Sequence, residues 1–185
     1  MDATHVEDDL VEVLFTEKQI HDRLDELARQ IAADYEGRDL LIVGTLRGAA
    51  MVMVDLARAL PRHVEMDWMA ISSYGSGTKS SGVVRILKDL DTDITGRHVL
   101  IVDEIIETGL TQSWVTSNLA SRSPGSVEIC TLLRKPEAVQ MQLDVKYVGW
   151  DIPNDFVVGY GLDYRQRYRN LRDIATLAPH VYTST

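Results

Sequence analysis

Two short stretches restrict the possible folds of this chain more than anything else in it. Residues 39–43 (DLLIV) and 98–102 (HVLIV) are almost wholly apolar, and each is followed by a glycine-containing segment and then by residues at helical spacing. A strand with one wet face alternates apolar and polar residues, so an unbroken apolar run of this length fits a strand buried on both faces, as in a parallel sheet covered by helices. The rest of the chain agrees. Thr16 precedes Ile20, Leu24, Leu27 and Ile31 at helical spacing. Gln19 is placed to complete a capping box, Phe15 and Ile20 to form a hydrophobic staple, and Gly37 to stop the helix. Residues 49–60 read as a helix up to Pro61, and residues 111–121 as a helix ending before Pro124 and Gly125. Strands are predicted at 64–70, where Val64, Met66, Trp68 and Ala70 alternate with more polar neighbours, and at 83–88, 127–133, 145–150 and 156–160. Residues 44–48 are predicted to turn, 103–111 to form an acidic loop and 72–82 (SSYGSGTKSSG) a flexible polar loop. The fold class is therefore α/β, a mainly parallel central sheet flanked by helices. Ligands bind such sheets at the carboxyl ends of the strands, where the 44–48 and 103–111 segments fall.

With 45% hydrophobic and 25% charged residues, the 185-residue chain is expected to form one domain around one core. Lys plus Arg total 19 against 28 Asp plus Glu, a formal charge of -9, which argues against a general nucleic-acid or anionic-membrane binder. The single cysteine, Cys130, excludes an intramolecular disulfide and a cysteine-based zinc cluster. The first ten residues are acidic where a secretory signal would be basic, and no apolar run approaches the roughly 18 residues of a membrane span. These features predict a cytoplasmic protein.

The chemistry concentrates in residues 99–111, VLIVDEIIETGLT. Three acids in one loop repel each other unless a cation or hydroxyl-bearing group sits among them. Thr108, Gly109 and Thr111 add hydroxyls and a permissive backbone at a helix N-terminus, where free N–H groups and the helix dipole favour an anion. A ligand with hydroxyls and a phosphate satisfies both, and a ribose 5-phosphate is one.

The stretch resembles the phosphoribosyl-pyrophosphate signature of type I phosphoribosyltransferases. The chain from about residue 11 to 182 resembles the hypoxanthine-guanine phosphoribosyltransferases in particular, through GTLRG at 44–48, Ser73-Tyr74, LLRKP at 132–136 and FVVGYGLDYRQRYR at 156–169. The resemblance implies that fold, with a small hood built from the terminal segments. It also implies transfer of phosphoribose from phosphoribosyl pyrophosphate to N9 of hypoxanthine or guanine, with Mg2+ as cofactor and a homodimer or homotetramer as the assembly. Asp103 and Glu104 would hold the ribose hydroxyls, partly around magnesium, and Glu107 would exchange a proton with purine N7. Thr108, Gly109, Leu110 and Thr111 would cradle the 5-phosphate. Leu46, Arg47 and Gly48 would bind pyrophosphate through backbone groups beside a cis peptide, and Arg169 would contact the same group. Lys135 would donate to the purine O6, Phe156 would stack on the ring and Val157 would pair with the base through its backbone. Asp163 would bind a second magnesium and meet the C2 substituent, and Ser73 and Tyr74 would lie on a lid spanning residues 72–82.

The chain departs from the resemblance in one respect that matters chemically. It reads D-E-I-I-E-T-G where the family usually reads E-D-I-I-D-[ST]-G, so every acid keeps its charge and changes its length. Arg47 stands where Lys is commoner, and Trp150 where Phe is usual. Two rivals remain at this level: a phosphoribosyltransferase for xanthine or another base, and a nucleotide-sensing RNA-binding regulator of the same fold.

Overall fold

The computed structural model describes residues 1–74 and 83–183. Its main sheet has six strands in the order β4-β3-β2-β5-β6-β7: Val83–Lys88, Glu65–Tyr74, Leu40–Leu46, His98–Ile106, Ser126–Arg134 and Tyr147–Asp151. All neighbours are parallel except the β3–β4 hairpin. Both faces of the two apolar strands are buried, as the unbroken runs predict. Leu40 and Ile42 of β2, with Leu100 and Val102 of β5, pack against α1 (Glu17–Asp34) and α2 (Ala50–Ala59). The alternate residues Leu41, Val43, Val99 and Ile101 pack with Val115 and Leu119 of α3 (Leu110–Ala120) on the other face. Thr16 caps α1 with the predicted box, its backbone N–H donating to Gln19 Oε1 at 2.9 Å. Cys130 lies fully inside this core, and burial pushes its thiol up to about 12, so it is an inert packing residue.

A second sheet joins β1 (Leu10–Phe15), β9 (Ile174–Leu177) and β8 (Val157–Val158), all antiparallel, with the short helix α4 (Pro179–Thr183) beyond. This is the hood of terminal segments. The strand predicted at 156–160 is shorter and belongs to this sheet. Gly159, Tyr160 and Gly161 all have positive φ (99°, 49° and 100°), which bends the chain out of extended geometry after two residues.

Three other expectations change at the strand ends. β2 runs on through Gly44, Thr45 and Leu46 instead of turning at 44, and a Cβ at Gly44 would come within 2.6 Å of the Trp68 ring, so only glycine lets β3 pack there. β5 continues through Asp103, Glu104, Ile105 and Ile106, because β6 stays paired beside it to Ile106↔Arg134, and the loop therefore begins only at Glu107. β3 absorbs residues 72–74, with Ser72 opposite Arg85, Ser73 opposite Val84 and Tyr74 opposite Val83. The remainder of the expected lid, residues 75–82, lies outside the described residues.

Candidate active site

The carboxyl ends of β2 and β5 bring together two adjoining compartments. One, of about 170 Å3, is lined by Glu104, Ile105, Glu107, Lys135, Phe156, Val157, Leu162 and Asp163. The other, of about 230 Å3, is lined by residues that include Thr45, Leu46, Arg47, Gly48, Asp103 and Thr111. Glu104 and Ile105 line both, so the two are joined at the end of β5. Every residue expected to touch the purine is in the first. Leu46, Arg47, Gly48, Asp103 and Thr111 are in the second.

At the second compartment the Leu46–Arg47 peptide is cis. Gly109, with φ 77°, is the N-cap of α3 and supplies no side chain, so the first N–H groups of the helix have no side-chain cap apart from a 3.4 Å contact of Leu110 N–H with Thr108 Oγ1. Uncapped N–H groups with the positive end of the helix dipole suit a phosphate.

The acids at the end of β5 are held very differently. Asp103 is buried and accepts from Thr45 Oγ1 at 2.7 Å, from Gln112 Nε2 at 2.7 Å and from the Glu104 N–H at 3.0 Å. Glu104 Oε2 is buried with no hydrogen-bond partner, and burial, followed by the neighbouring Asp103 carboxylate, pushes the Glu104 carboxyl well above the usual carboxylate range. A carboxyl raised in the folded state binds its proton more tightly than in the unfolded chain, so its contribution to stability is complete at low pH and is lost as pH rises through the raised value. Thermal stability of the ligand-free protein is therefore expected to fall from the ordinary carboxylate range upward, and Glu104→Gln should flatten that slope in melting curves taken across pH. An unchanged slope would place the pH dependence elsewhere.

At the base compartment, Lys135 is buried while Glu107 is half-exposed, and their charged ends form an ion pair. The Lys135 backbone N–H donates to Ile106 O at 2.9 Å, which ties the β6 end to the β5 end and sets the pair side by side. Phe156 is bracketed by aromatic rings: it stacks on Tyr182 of α4, centroids 5.1 Å apart, and meets Tyr164 edge-on at 5.6 Å. Asp163 Oδ1 pairs with Arg169 at 2.6 Å, and Arg169 also donates to Gly161 O at 2.7 Å, while its Nε is buried without a partner. Gln166 accepts from Arg47 at 3.1 Å and from Arg169 at 3.3 Å, linking the two guanidiniums.

Thr45, Gln112 and Gln166 were not singled out from the sequence. Thr45 sits inside the GTLRG match and could have been read from it, whereas nothing in the spacing of Gln112 or Gln166 signals that their amides reach an acid or an arginine.

Among the described residues no group of three His, Cys, Asp or Glu side chains forms a metal cage. Mg2+ rarely uses one: it keeps waters and binds through one or two carboxylates together with substrate phosphates. The unpartnered Glu104 Oε2 and the Asp163 carboxylate at the wall of the same compartment fit that requirement.

The phosphoribosyl transferase domain family matches residues 12–165. The chain is 56% identical over 180 residues to the hypoxanthine-guanine phosphoribosyltransferase of Mycobacterium tuberculosis, across 94% of this chain and 89% of that one. It is 49% identical over 176 residues to the enzyme of the same name from Staphylococcus aureus, across 95% and 98%. The crystal structure of a hypoxanthine phosphoribosyltransferase from Staphylococcus aureus matches with a TM-score of 0.93 at 48% identity, covering 96% of this chain and 97% of that one. Among the described residues no helix is long and apolar enough to cross a membrane.

Proposed function

The chain belongs to the phosphoribosyltransferase family, in its hypoxanthine-guanine branch, and from that premise we propose that it transfers 5-phosphoribose from phosphoribosyl pyrophosphate to N9 of hypoxanthine or guanine. The products are IMP or GMP and pyrophosphate. The names borne by the relatives support this salvage reading over a xanthine enzyme or an RNA-binding regulator. We propose further that the enzyme works in the cytoplasm as a homodimer or homotetramer and uses Mg2+.

The observation that carries the reading is the Lys135–Glu107 pair. A 6-oxopurine free base with its proton on N7 presents an acceptor, O6, beside a donor, N7–H, on one edge. Adjacent ammonium and carboxylate groups offer the complementary donor and acceptor. Glu107 takes the N7 proton as N9 attacks C1′ of the ribose. The bond from C1′ to the pyrophosphate oxygen breaks in the same displacement, and the electron pair leaves with pyrophosphate. Phe156, braced by Tyr182 and Tyr164, gives the base a fixed aromatic plane, and Val157 offers backbone groups at its edge. The uncapped start of α3, Thr108 to Thr111, receives the 5-phosphate. Leu46, Arg47 and Gly48 line the compartment for pyrophosphate, and Arg169, which lines neither compartment but is joined to Arg47 through Gln166, adds a second guanidinium whose Nε has no partner. Asp103, Glu104 and Asp163 face the ribose and magnesium positions, and Mg2+, when bound, supplies charge neutralisation to the leaving group.

The test is purified protein with phosphoribosyl pyrophosphate, magnesium and each purine in turn, with product nucleotide followed. Hypoxanthine and guanine should turn over and adenine should not. Lys135 offers only donors, and the adenine amino group is a donor too, so an unpaired polar group would be closed into the site at a cost of roughly 1 to 3 kcal/mol. Efficient adenine turnover would refute the role given to Lys135.

A further inference from the structure

The segment after Asp163 makes a two-residue turn that its sequence does not favour. Tyr164 N–H donates to Arg167 O at 3.2 Å and Arg167 N–H to Tyr164 O at 2.9 Å, and the residues between them, Arg165 and Gln166, both have positive φ, 51° and 65°. Such turns usually carry Asn-Gly or Asp-Gly, because most residues with a side chain are disfavoured there. Backbone in a sparsely populated region persists where its surroundings over-determine it, and such residues gather at functional sites.

What the turn provides is the position of Gln166, which touches three charged groups. Its backbone N–H donates to Asp163 Oδ2 at 2.8 Å, while Oδ1 of the same carboxylate pairs with Arg169. Its side-chain Oε1 accepts from Arg47 at 3.1 Å and from Arg169 at 3.3 Å. Arg47 follows β2 and Arg169 precedes β9, so one amide oxygen joins guanidiniums from distant parts of the chain. Two like charges side by side repel, and a neutral acceptor shared between them offsets the repulsion without setting an anion where a phosphate has to arrive. Cations already gathered before the ligand comes need less ordering to receive it.

We propose that Gln166 is a positioning residue for the pyrophosphate group: its amide oxygen holds the Arg47 and Arg169 guanidiniums together as one clamp, and the turn keeps its positive φ in order to present that amide. The proposal rests on the transfer reaction argued above and deepens it at the pyrophosphate end.

Two variants test it. Gln166→Met keeps the length of the side chain and the conformation the turn imposes, but replaces the amide by a thioether that accepts only weakly. Gln166→Gly removes the amide and also relaxes the positive φ. Both keep the backbone N–H that supports Asp163. The readouts are the calorimetric dissociation constant for phosphoribosyl pyrophosphate with magnesium chloride in the absence of purine, the KM for hypoxanthine, and a melting curve for each protein. Both variants should weaken phosphoribosyl pyrophosphate binding by the same factor, about three- to tenfold, the value of a typical hydrogen bond. The KM for hypoxanthine should stay put, and Gln166→Gly should melt above Gln166→Met. Affinity and stability then move separately, which a merely structural turn would not allow. Parent affinity in either variant would overturn the proposal. So would tighter binding by Gln166→Gly than by Gln166→Met, since the stability of the turn and not its amide would then set the affinity. A hypoxanthine KM that rises in parallel, or equal melting temperatures for the two variants, would also overturn it. If Gln166→Met does not fold, the affinity and KM of Gln166→Gly decide alone. A parent protein that fails to bind phosphoribosyl pyrophosphate removes the proposed function itself, a result distinct from any pattern among the variants.

Discussion

Replacing Glu107 with glutamine should lower kcat by about 10² to 10⁴, the usual value of a positioned general base, while leaving affinity for phosphoribosyl pyrophosphate nearly intact. The structure sharpens the reason for choosing this substitution. Lys135 is buried and Glu107 is its ion-pair partner, so Glu107→Ala would strand an ammonium in a low-dielectric wall and confuse loss of chemistry with loss of folding. Glutamine keeps an oxygen for Lys135 to donate to, so the ammonium stays aimed at the O6 position and only the proton acceptor is lost. The converse change, Lys135→Met, leaves a half-exposed Glu107 that water can solvate, and its effect should appear mainly as a raised purine KM. Glu107→Asp should retain partial activity, because the family's usual residue would be working in a pocket shaped for a longer side chain. Single-turnover measurement is the check: parent-rate chemistry in Glu107→Gln would move the proton-accepting role to another group.

Most of the scaffold was legible because the core announces itself in apolar spacing. The runs at 39–43 and 98–102, the capping box at Thr16 and the alternation at 64–70 all became the elements they implied. What failed to show was where strands stop. Gly44, Thr45, Asp103 and Glu104 remain in β-structure although they are polar or lack a side chain, since neighbouring strands continue to pair beside them. At those carboxyl ends the sequence is chosen for ligand chemistry, and apolar periodicity has nothing to report. Of the hood strands, pattern signals only β8, which falls inside the strand expected at 156–160. β1 has a ragged inside-outside sequence with two register shifts against β9, and β9 is only four residues long, so neither shows an alternation to read. The site itself was legible through the long VLIVDEIIETGLT match, which fixed residue types and order. The supporting amides of Gln112 and Gln166 were not, because they act through contacts between segments distant in sequence.

The glycine at position 48 should prove indispensable for a reason separable from folding. A Cβ built there would lie well under 3.0 Å from the Glu104 carboxyl, too close for any real contact, so the backbone of the cis-peptide loop and the Glu104 side chain are in direct apposition. The obstacle is the far end of a flexible side chain, which can swing away. Gly48→Ala should therefore leave the melting temperature nearly unchanged while pushing Glu104 out of the junction between the compartments. Misplacing a group by about 1 Å can cost on the order of 10²-fold in rate, and a loss of that size in kcat/KM for phosphoribosyl pyrophosphate is expected. Gly161→Ala supplies the contrast. Its Cβ would collide with the Gly48 carbonyl, which is backbone and cannot swing, and its φ of 100° disfavours any side chain. That variant should lose stability, by about 1 to 3 kcal/mol from overpacking alone, along with activity. Melting curves and initial rates measured on both proteins distinguish the cases, and a Gly48→Ala enzyme with parent kinetics would show that Glu104 does not need its present place to meet the ribose.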